Sequence, residues 1–212
     1  MTVSKKSSPA DQNGTLLGGN TVVTPLGAYP AQAVTYYADG GIRSLTLNPG
    51  ERALVPTPAG PVLTRLGFTF HEDGSLDSVE PAQPVEVDTP IGVVTTYDDA
   101  AKAPVERYSL CFTREGQVSG LTVSGFSLLA QGDDGSVTWV RPRQVLSPDE
   151  EGEFIELPVR LDFREGFAVV RSGDQTALLP LEGTLFRWLD ADDEGGCAGG
   201  CAGCSGCGGK GR

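Results

Sequence analysis

The chain has 212 residues, of which 39% are hydrophobic and 21% charged, so it carries enough apolar material to form a folded core. Acidic residues outnumber basic ones by 28 to 16, and the net charge of −12 opposes binding to nucleic acid or to anionic membrane surfaces. No apolar run approaches the roughly 20 residues of a spanning helix, and no export signal is recognisable. We therefore expect a cytoplasmic protein.

The first part of the chain predicts an arm followed by a β-structured body. Residues 1–19 are polar and glycine-rich and lack any strand or helix period. From residue 20 to residue 189, short runs rich in Val, Thr, Tyr, Phe and Leu alternate with glycine and proline punctuation. This body lacks the i, i+3, i+4, i+7 stripe of an amphipathic helix. The sequence predicts an all-β fold of consecutive antiparallel hairpins, arranged as a repeat-like meander or a sandwich.

Two kinds of turn signal recur along the body. A Thr-Pro-x-Gly sequence begins at Thr24, Thr57 and Thr89, at intervals of about 32 residues, which predicts three related units. In the third unit, residues 98–104 have the composition of an inserted loop. Acid–glycine pairs mark further hairpins, because glycine accepts the positive φ of tight turns. These pairs are Asp39-Gly40, Asp73-Gly74, Glu115-Gly116 and Asp134-Gly135.

Two short stretches carry a family resemblance. Residues 36–44 and 68–78 share aromatic residues, then an acid–glycine pair, then an aliphatic residue and a serine. This order resembles the variant MORN hairpin repeats of bacterial proteins, and the resemblance implies a scaffolding role. The glycine and aromatic positions that close ordinary MORN units are absent here. Unrelated hairpins with good turn chemistry would share the same pattern.

The chain after Pro142 predicts a loop and then four more strands. Residues 143–153 are acidic and contain proline, which is typical of a long loop. Strands are predicted at residues 154–163, 167–171, 176–181 and 184–189. The acidic run that starts at residue 190 ends this pattern. Residues 190–212 are therefore predicted to form an acidic linker and a glycine- and cysteine-rich tail, disordered or ordered by metal.

The tail contains the clearest candidate for a chemical site. Four thiolates can bind a metal ion tetrahedrally, and the small residues between these cysteines allow the backbone to curl around it. We expect zinc first, with an iron–sulfur cluster or copper(I) as alternatives. Ordering a segment this rich in glycine costs about 1–2 kcal/mol per residue, so a free-thiol tail is the competing prediction. The candidate ligands are Cys197, Cys201, Cys204 and Cys207.

Other residues with reactive side chains have structural interpretations. Cys111 lies in a strand-like apolar run, where a lone cysteine usually acts as a small buried hydrophobe. His71, the single histidine, precedes a turn and is expected to be solvated. Trp139 and Trp188 are expected to pack in the core or on a sheet face rather than to stack on a ligand. We expect the following residues to be largely buried: Tyr36, Phe68, Phe70, Val94, Leu110, Phe112, Leu121, Trp139, Phe163, Phe167 and Trp188.

These patterns favour a non-enzymatic binding or scaffold protein whose β-sheet surface contacts another protein. The alternative is a metal-handling protein that uses the C-terminal cysteines. An enzyme is disfavoured because no pair of carboxylates shows a spacing suited to general acid–base chemistry.

Overall fold

The computed structural model describes residues 16–98, 108–147 and 152–190. These residues form an all-β structure of consecutive antiparallel hairpins, which confirms the predicted fold class. None of the described segments is a helix that could span a membrane. The strands of the N-terminal part are β1 (Leu16–Thr24), β2 (Gly27–Tyr36), β3 (Ile42–Thr46), β4 (Ala53–Thr57), β5 (Gly60–Phe70), β6 (Leu76–Pro81), β7 (Val85–Thr89), β8 (Gly92–Thr96), β9 (Leu110–Phe112) and β10 (Val118–Val123).

The C-terminal part continues with eight strands. The segment predicted as a long loop over residues 143–153 is instead partly a hairpin strand, because Val145 and Leu146 pair with Ile155 and Phe154. Residues 148–151, which lie between the two strands of this hairpin in the sequence, are outside the described residues. The strands are β11 (Phe126–Gly132), β12 (Val137–Val140), β13 (Arg143–Leu146), β14 (Phe154–Leu157), β15 (Val159–Arg164), β16 (Phe167–Ser172), β17 (Gln175–Pro180) and β18 (Thr184–Asp190).

The described boundaries differ slightly from the predicted ones. Strand β1 begins at Leu16, inside the segment predicted as an arm, and β18 ends at Asp190. The rest of the predicted arm, most of the predicted inserted loop and the tail from residue 191 onward lie outside the described residues.

One large sheet dominates the architecture. Its strand order is β1-β2-β3-β5-β6-β9-β10-β15-β16-β17, and β4 pairs with the first half of β5. Strands β12-β11-β18 form a second sheet, and β7-β8 and β13-β14 are separate two-stranded ladders. Strand β11 contacts β15, and β12 contacts β16 and β17. The second sheet therefore packs on the C-terminal end of the large sheet.

The turn signals found in the sequence produce repeated turns. In all four acid–glycine hairpins, the first turn residue donates its N–H to the carbonyl of the fifth at 2.7–2.9 Å. In each Thr-Pro-x-Gly turn, the threonine hydroxyl donates to the glycine carbonyl and accepts the N–H two residues after the threonine. The first three acid–glycine hairpins and the three Thr-Pro-x-Gly hairpins together give three structurally equivalent units along the chain.

Contacts between the units also repeat. Pro25 of the first unit lies against Gly74 of the second, and Pro58 of the second lies against Gly116 of the third. The Tyr37 hydroxyl donates to the Phe70 carbonyl at 2.6 Å. Equivalent residues of the next pair of units make an equivalent contact, since His71 Nε2 lies 3.1 Å from the Phe112 carbonyl oxygen. Successive units thus pack against each other through equivalent contacts.

The two faces of the large sheet differ in chemistry. One cross-strand row on the inner face is apolar and buried in the core. The neighbouring row, on the outer face, consists mostly of small polar residues, and its central members Thr69, Ser78 and Cys111 are also buried. The inner row is Val34, Leu45, Phe68, Val79, Leu110, Leu121, Leu161 and Val170, and the outer row is Thr35, Ser44, Thr69, Ser78, Cys111, Gly120 and Asp162.

Strand β5 bends where it passes from one partner to others. Its first half pairs with β4, and its second half pairs with β3 and β6. At the bend Leu66 has φ of 60° and Gly67 has φ of 157°. A side chain at Gly67 would overlap the Leu45 carbonyl oxygen, so only glycine fits there.

Of the eleven residues predicted to be largely buried, six are buried, three are partly buried and two are exposed. Tyr36, Phe163 and Trp188 are partly buried. Trp139 and Phe167 keep 36% and 41% of their surface exposed, so their predicted burial is wrong. Both lie in outward-facing rows, where side chains alternate with those that enter the core. The buried members of the prediction are Phe68, Phe70, Val94, Leu110, Phe112 and Leu121.

Candidate functional site

The predicted metal ligands Cys197, Cys201, Cys204 and Cys207 lie outside the described residues. Within residues 16–98, 108–147 and 152–190, no group of three or more His, Cys, Asp or Glu side chains is arranged to hold a metal ion. The described part of the chain therefore offers other candidates, which are the polar clusters of the outer face and the exposed faces of the sheets.

The first two units share a hydrogen-bonded pair of hydroxyls in the outer row. The Thr35 and Ser44 hydroxyls lie 2.6 Å apart, and the equivalent Thr69 and Ser78 hydroxyls lie 2.5 Å apart. Each pair joins neighbouring strands and satisfies two polar groups at once.

The third unit replaces this pair with a thiol and a guanidinium. Cys111 stands at the threonine position and Gly120 at the serine position. Arg160 on β15 fills the space, because its Nη2 donates to Cys111 Sγ at 3.0 Å and to Asp162 Oδ1 at 3.3 Å. Cys111 is fully buried, as predicted, and its thiol donates to the Tyr108 carbonyl. Its burial and these hydrogen bonds indicate that Cys111 has a structural role.

Arg160 is the centre of a wider set of contacts. Its Nη1 donates to the carbonyl oxygens of Tyr108 and Ser109 and to the hydroxyl of Thr122. Burial lowers the pKa of the guanidinium, but Cys111 and Asp162 outweigh this effect and raise it above its usual range. The arginine is therefore a charged cross-link among three strands.

A second buried cluster surrounds Glu80. This carboxylate is 1% exposed and accepts hydrogen bonds at Oε2 from the Ser109 N–H at 3.0 Å and the Ser109 hydroxyl at 2.6 Å. Its Oε1 has no hydrogen-bond donor and lies 3.5 Å from Arg65 Nη2. Burial raises the pKa of Glu80, and the same cause raises the pKa of nearby Tyr108 to about 12.

The remaining reactive candidate, His71, is held in place rather than freely solvated. Besides its contact with the Phe112 carbonyl, its Nε2 lies 3.6 Å from Asp77 Oδ1. The side chain is only 20% exposed, which differs from the solvated position expected at a turn. The sequence gave no sign of the contact between His71 and the Phe112 carbonyl, because the two residues are 41 positions apart.

Two grooves on the surface of the described residues are lined by other side chains. One groove of about 480 Å³ lies between the second and third Thr-Pro-x-Gly turns and is lined by Pro58, Pro90 and Gln117 among others. Another, of about 230 Å³, lies beside the β11–β12 turn and is lined by Asp133, Asp134 and Glu182 among others. Neither groove is lined by Glu80, Arg160 or Cys111. The contacts of both buried clusters join neighbouring strands and so stabilise the sheet.

The outer face of the second sheet exposes several apolar side chains. One of its rows is Val137, Gln131 and Leu185, and the next is Trp139, Leu129 and Arg187. We call these six residues the Trp139 face. Val137 is 60% exposed and Leu185 is 63% exposed, so the face presents apolar side chains from both outer strands.

Trp139 is held in a defined position on this face. The Arg141 guanidinium lies over the indole ring, 4.5 Å from the ring centroid. The Gln175 side-chain amide donates to the Trp139 backbone carbonyl at 2.8 Å. Contacts on both the ring and the backbone orient the residue while a third of its surface stays exposed. An oriented aromatic side chain with an arginine beside it is typical of residues that anchor protein interfaces.

The local sequence could not reveal this face. Val137 and Trp139 alternate with Thr138 and Val140, so each side of β12 carries an apolar residue. Only the packing of Val140 and Leu128 into the core determines that Trp139 points outward.

Comparison with known proteins found no match to this chain among family models, curated proteins or solved structures. The resemblance to MORN-like repeats therefore stays a prediction.

Proposed function

We propose that this chain is a non-enzymatic binding or scaffold protein that contacts another protein through the Trp139 face. The observation that carries the proposal is the exposed, oriented Trp139 flanked on the same face by exposed Val137 and Leu185. Isolated exposed hydrophobic residues are common, but three exposed apolar side chains on one face, one of them an anchored tryptophan, are typical of an interaction surface.

The charge of the chain and its cysteine distribution support a protein partner in the cytoplasm. A net charge of −12 disfavours nucleic acid and anionic membrane as partners. Cysteines clustered at one terminus do not form the spread framework of a secreted disulfide-stabilised domain.

A pull-down with matched variants tests the proposal. Bait proteins would be the full chain, the variant Trp139→Ala and the control variant Leu54→Ala, which removes an exposed hydrophobic side chain from a different strand. We expect one set of captured proteins to be common to the wild type and Leu54→Ala and to be lost with Trp139→Ala. Equal capture by all three baits would contradict the assignment of the interaction to this face.

The second candidate function is metal handling, which is favoured by the spacing of Cys197, Cys201, Cys204 and Cys207. Elemental analysis of protein expressed with zinc or iron tests it. We expect bound metal in the full chain, a strong reduction with Cys204→Ser, and none after removal of residues 195–212. Only trace metal in the full chain after reducing purification would contradict this candidate.

A further inference from the structure

The third Thr-Pro-x-Gly hairpin leaves one edge of strand β7 open. Strand β7 pairs with β8 in a separate two-stranded ladder, and no other described strand pairs with it. The groove of about 480 Å³ follows this edge, because residues 86–90 line it and no described residue of β8 does. Its opposite wall consists of Pro58 and Ala59 of the second unit and residues 116–118 of the third. The groove is therefore a gap beside an open sheet edge.

The direction of the backbone groups on this edge follows from the equivalent hairpin of the second unit. There Pro56 and Pro61 lie opposite each other, and since neither has an N–H, they cannot be a hydrogen-bonded pair. Asp88 and Val93 are the equivalent pair of β7 and β8. Because hydrogen-bonded and non-hydrogen-bonded pairs alternate along an antiparallel ladder, Glu86 has the same orientation as Asp88. The N–H and C=O groups of Glu86 and Asp88 therefore point away from β8, on the side of the groove.

Proline protects the equivalent edge in the second unit but not in the third. Pro56 of β4 lacks the N–H that a further strand would need, and proline is a common means of protecting edge strands. Asp88 stands at the equivalent position of β7 and keeps its N–H. A strand added to β7 can therefore form backbone hydrogen bonds with both Glu86 and Asp88, whereas position 56 of β4 offers no donor.

The side chains on the β7 edge favour a basic partner. Glu86 and Asp88 are exposed, and neither forms an ion pair with a described residue. No lysine or arginine is among the described residues that line the groove. Opposite charges on adjacent strands are stabilising and like charges are destabilising, so lysine or arginine is favoured opposite these carboxylates. A second copy of β7 would place carboxylates opposite carboxylates and is disfavoured for the same reason.

We infer that the β7 edge binds an extended, basic segment of another protein as an added strand. The segment lies in the groove, its backbone bonds to Glu86 and Asp88, and its lysine or arginine side chains lie beside the two carboxylates. The backbone hydrogen bonds contribute affinity for an extended chain, and the carboxylates select its charge. This edge is distinct from the Trp139 face, so the inference adds a second binding surface and does not depend on the proposed function.

Three fluorescein-labelled peptides test the charge selection on the full chain by fluorescence anisotropy. They alternate threonine with lysine, glutamine or glutamate. We expect the lysine peptide to bind about tenfold more tightly than the glutamate peptide, with a difference that shrinks as salt is added. Asp88→Asn should weaken binding of the lysine peptide by about threefold. Glu165→Gln, which removes one carboxylate from an exposed turn, is the matched control and should not change it.

Two changes to the backbone test strand addition itself. Asp88→Pro introduces the residue that the second unit has at this position, and it should weaken binding of the lysine peptide by about tenfold or more, because it removes both the N–H and the carboxylate. On the peptide, N-methyl groups on one set of alternate residues should abolish binding, and on the other set should change it by less than about threefold. Only every second N–H of an added strand faces β7.

Each result has a defined meaning. Equal affinity for the three peptides, or no binding of the lysine peptide, would overturn the inference. Equal binding of the two N-methylated peptides would also overturn it, because lysine side chains would then bind the acidic surface without strand pairing. If Asp88→Pro does not fold, as followed by urea unfolding, Asp88→Asn and the N-methylated peptides still decide the question.

A last variant separates this edge from the Trp139 face. Trp139→Ala should leave binding of the lysine peptide unchanged, and loss of peptide binding in this variant would contradict the assignment to β7. The proposed function is tested separately, by the proteins that Trp139→Ala captures in the pull-down.

Discussion

The first two repeat units and the third unit differ in the residues that form polar contacts at the same two positions of the outer row. In the first two, a threonine and a serine on adjacent strands share a hydrogen bond on the outer face. In the third, Cys111 and Gly120 occupy these positions and Arg160, from outside the repeats, supplies the polar contact. The turns and the apolar inner row are the same in all three units.

The difference occurs in the unit that pairs with a strand outside the repeats. The third unit pairs with β15 through β10, and the bulky guanidinium of Arg160 needs the space that a serine at position 120 would occupy. The departure from the repeat is therefore imposed by a neighbouring strand and is not itself a sign of catalysis. On the Trp139 face, in contrast, Val137, Trp139 and Leu185 stay exposed within the described residues.

The largest effect is expected at the bend that the second unit makes within β5. Gly67→Ala should lower the free energy of unfolding by about 3 kcal/mol or more, because a Cβ there overlaps the Leu45 carbonyl oxygen. Gly60→Ala is the control, since it also has a positive φ but has open space around it, and should cost about 1–2 kcal/mol. Urea unfolding measures both. Similar losses in the two variants would show that the bend can relax.

The next largest effect tests the cross-link of the third unit. Arg160→Met should cost about 2–3 kcal/mol, because it leaves Asp162 and the Tyr108 and Ser109 carbonyls with fewer partners. Arg164→Met, an exposed arginine on the same strand, should stay within about 0.5 kcal/mol of the wild type. If the two variants unfold at the same urea concentration, Arg160 does not have the stabilising role assigned to it.

A smaller effect is expected when the repeat residue is restored in the third unit. Gly120→Ser places a Cβ 2.8 Å from Asp162 Oδ1 and 2.9 Å from the Leu161 carbonyl, which should cost about 1–3 kcal/mol. Gly41→Ser introduces the residue found at the equivalent turn position 75, and its Cβ meets only the Asp39 carboxyl group. This control should be nearly neutral. A stabilising Gly120→Ser would mean that the third unit follows the same rule as the others.

The smallest effect concerns the pH dependence of stability. Burial raises the pKa of Glu80 above its ordinary value of 4.5, so the folded chain holds this proton more tightly than the unfolded chain. The resulting stabilisation is fully present below pH 4.5 and is lost as the pH rises through the folded-state value. In urea unfolding from acid to neutral pH, the wild type should therefore lose stability relative to Glu80→Gln. Glu86→Gln, at an exposed position, should parallel the wild type, and a constant difference between the wild type and Glu80→Gln would contradict this assignment.

Several features of the fold could be predicted because they depend on neighbouring residues. The acid–glycine and Thr-Pro-x-Gly turns are determined by local φ values and by side-chain contacts within a few residues. The hairpin of β13 and β14 was missed because its acidic, proline-containing connection dominates the local composition. The apolar neighbours of Cys111 in the sequence indicate that it is buried. They could not indicate its contact with Arg160, which lies 49 residues away in the chain.

The sequence by itself determined the all-β class, the positions of the principal turns and the repetition of the units, since each follows from local conformational preference. The tertiary structure alone decided which side of β12 faces the core and which residues fill the outer row of the third unit. Both sides of β12 carry apolar residues, so its orientation depends on the burial that the whole sheet achieves against β16 and β17. The exposure of Trp139 is therefore a consequence of long-range packing, and so is the interaction surface proposed around it.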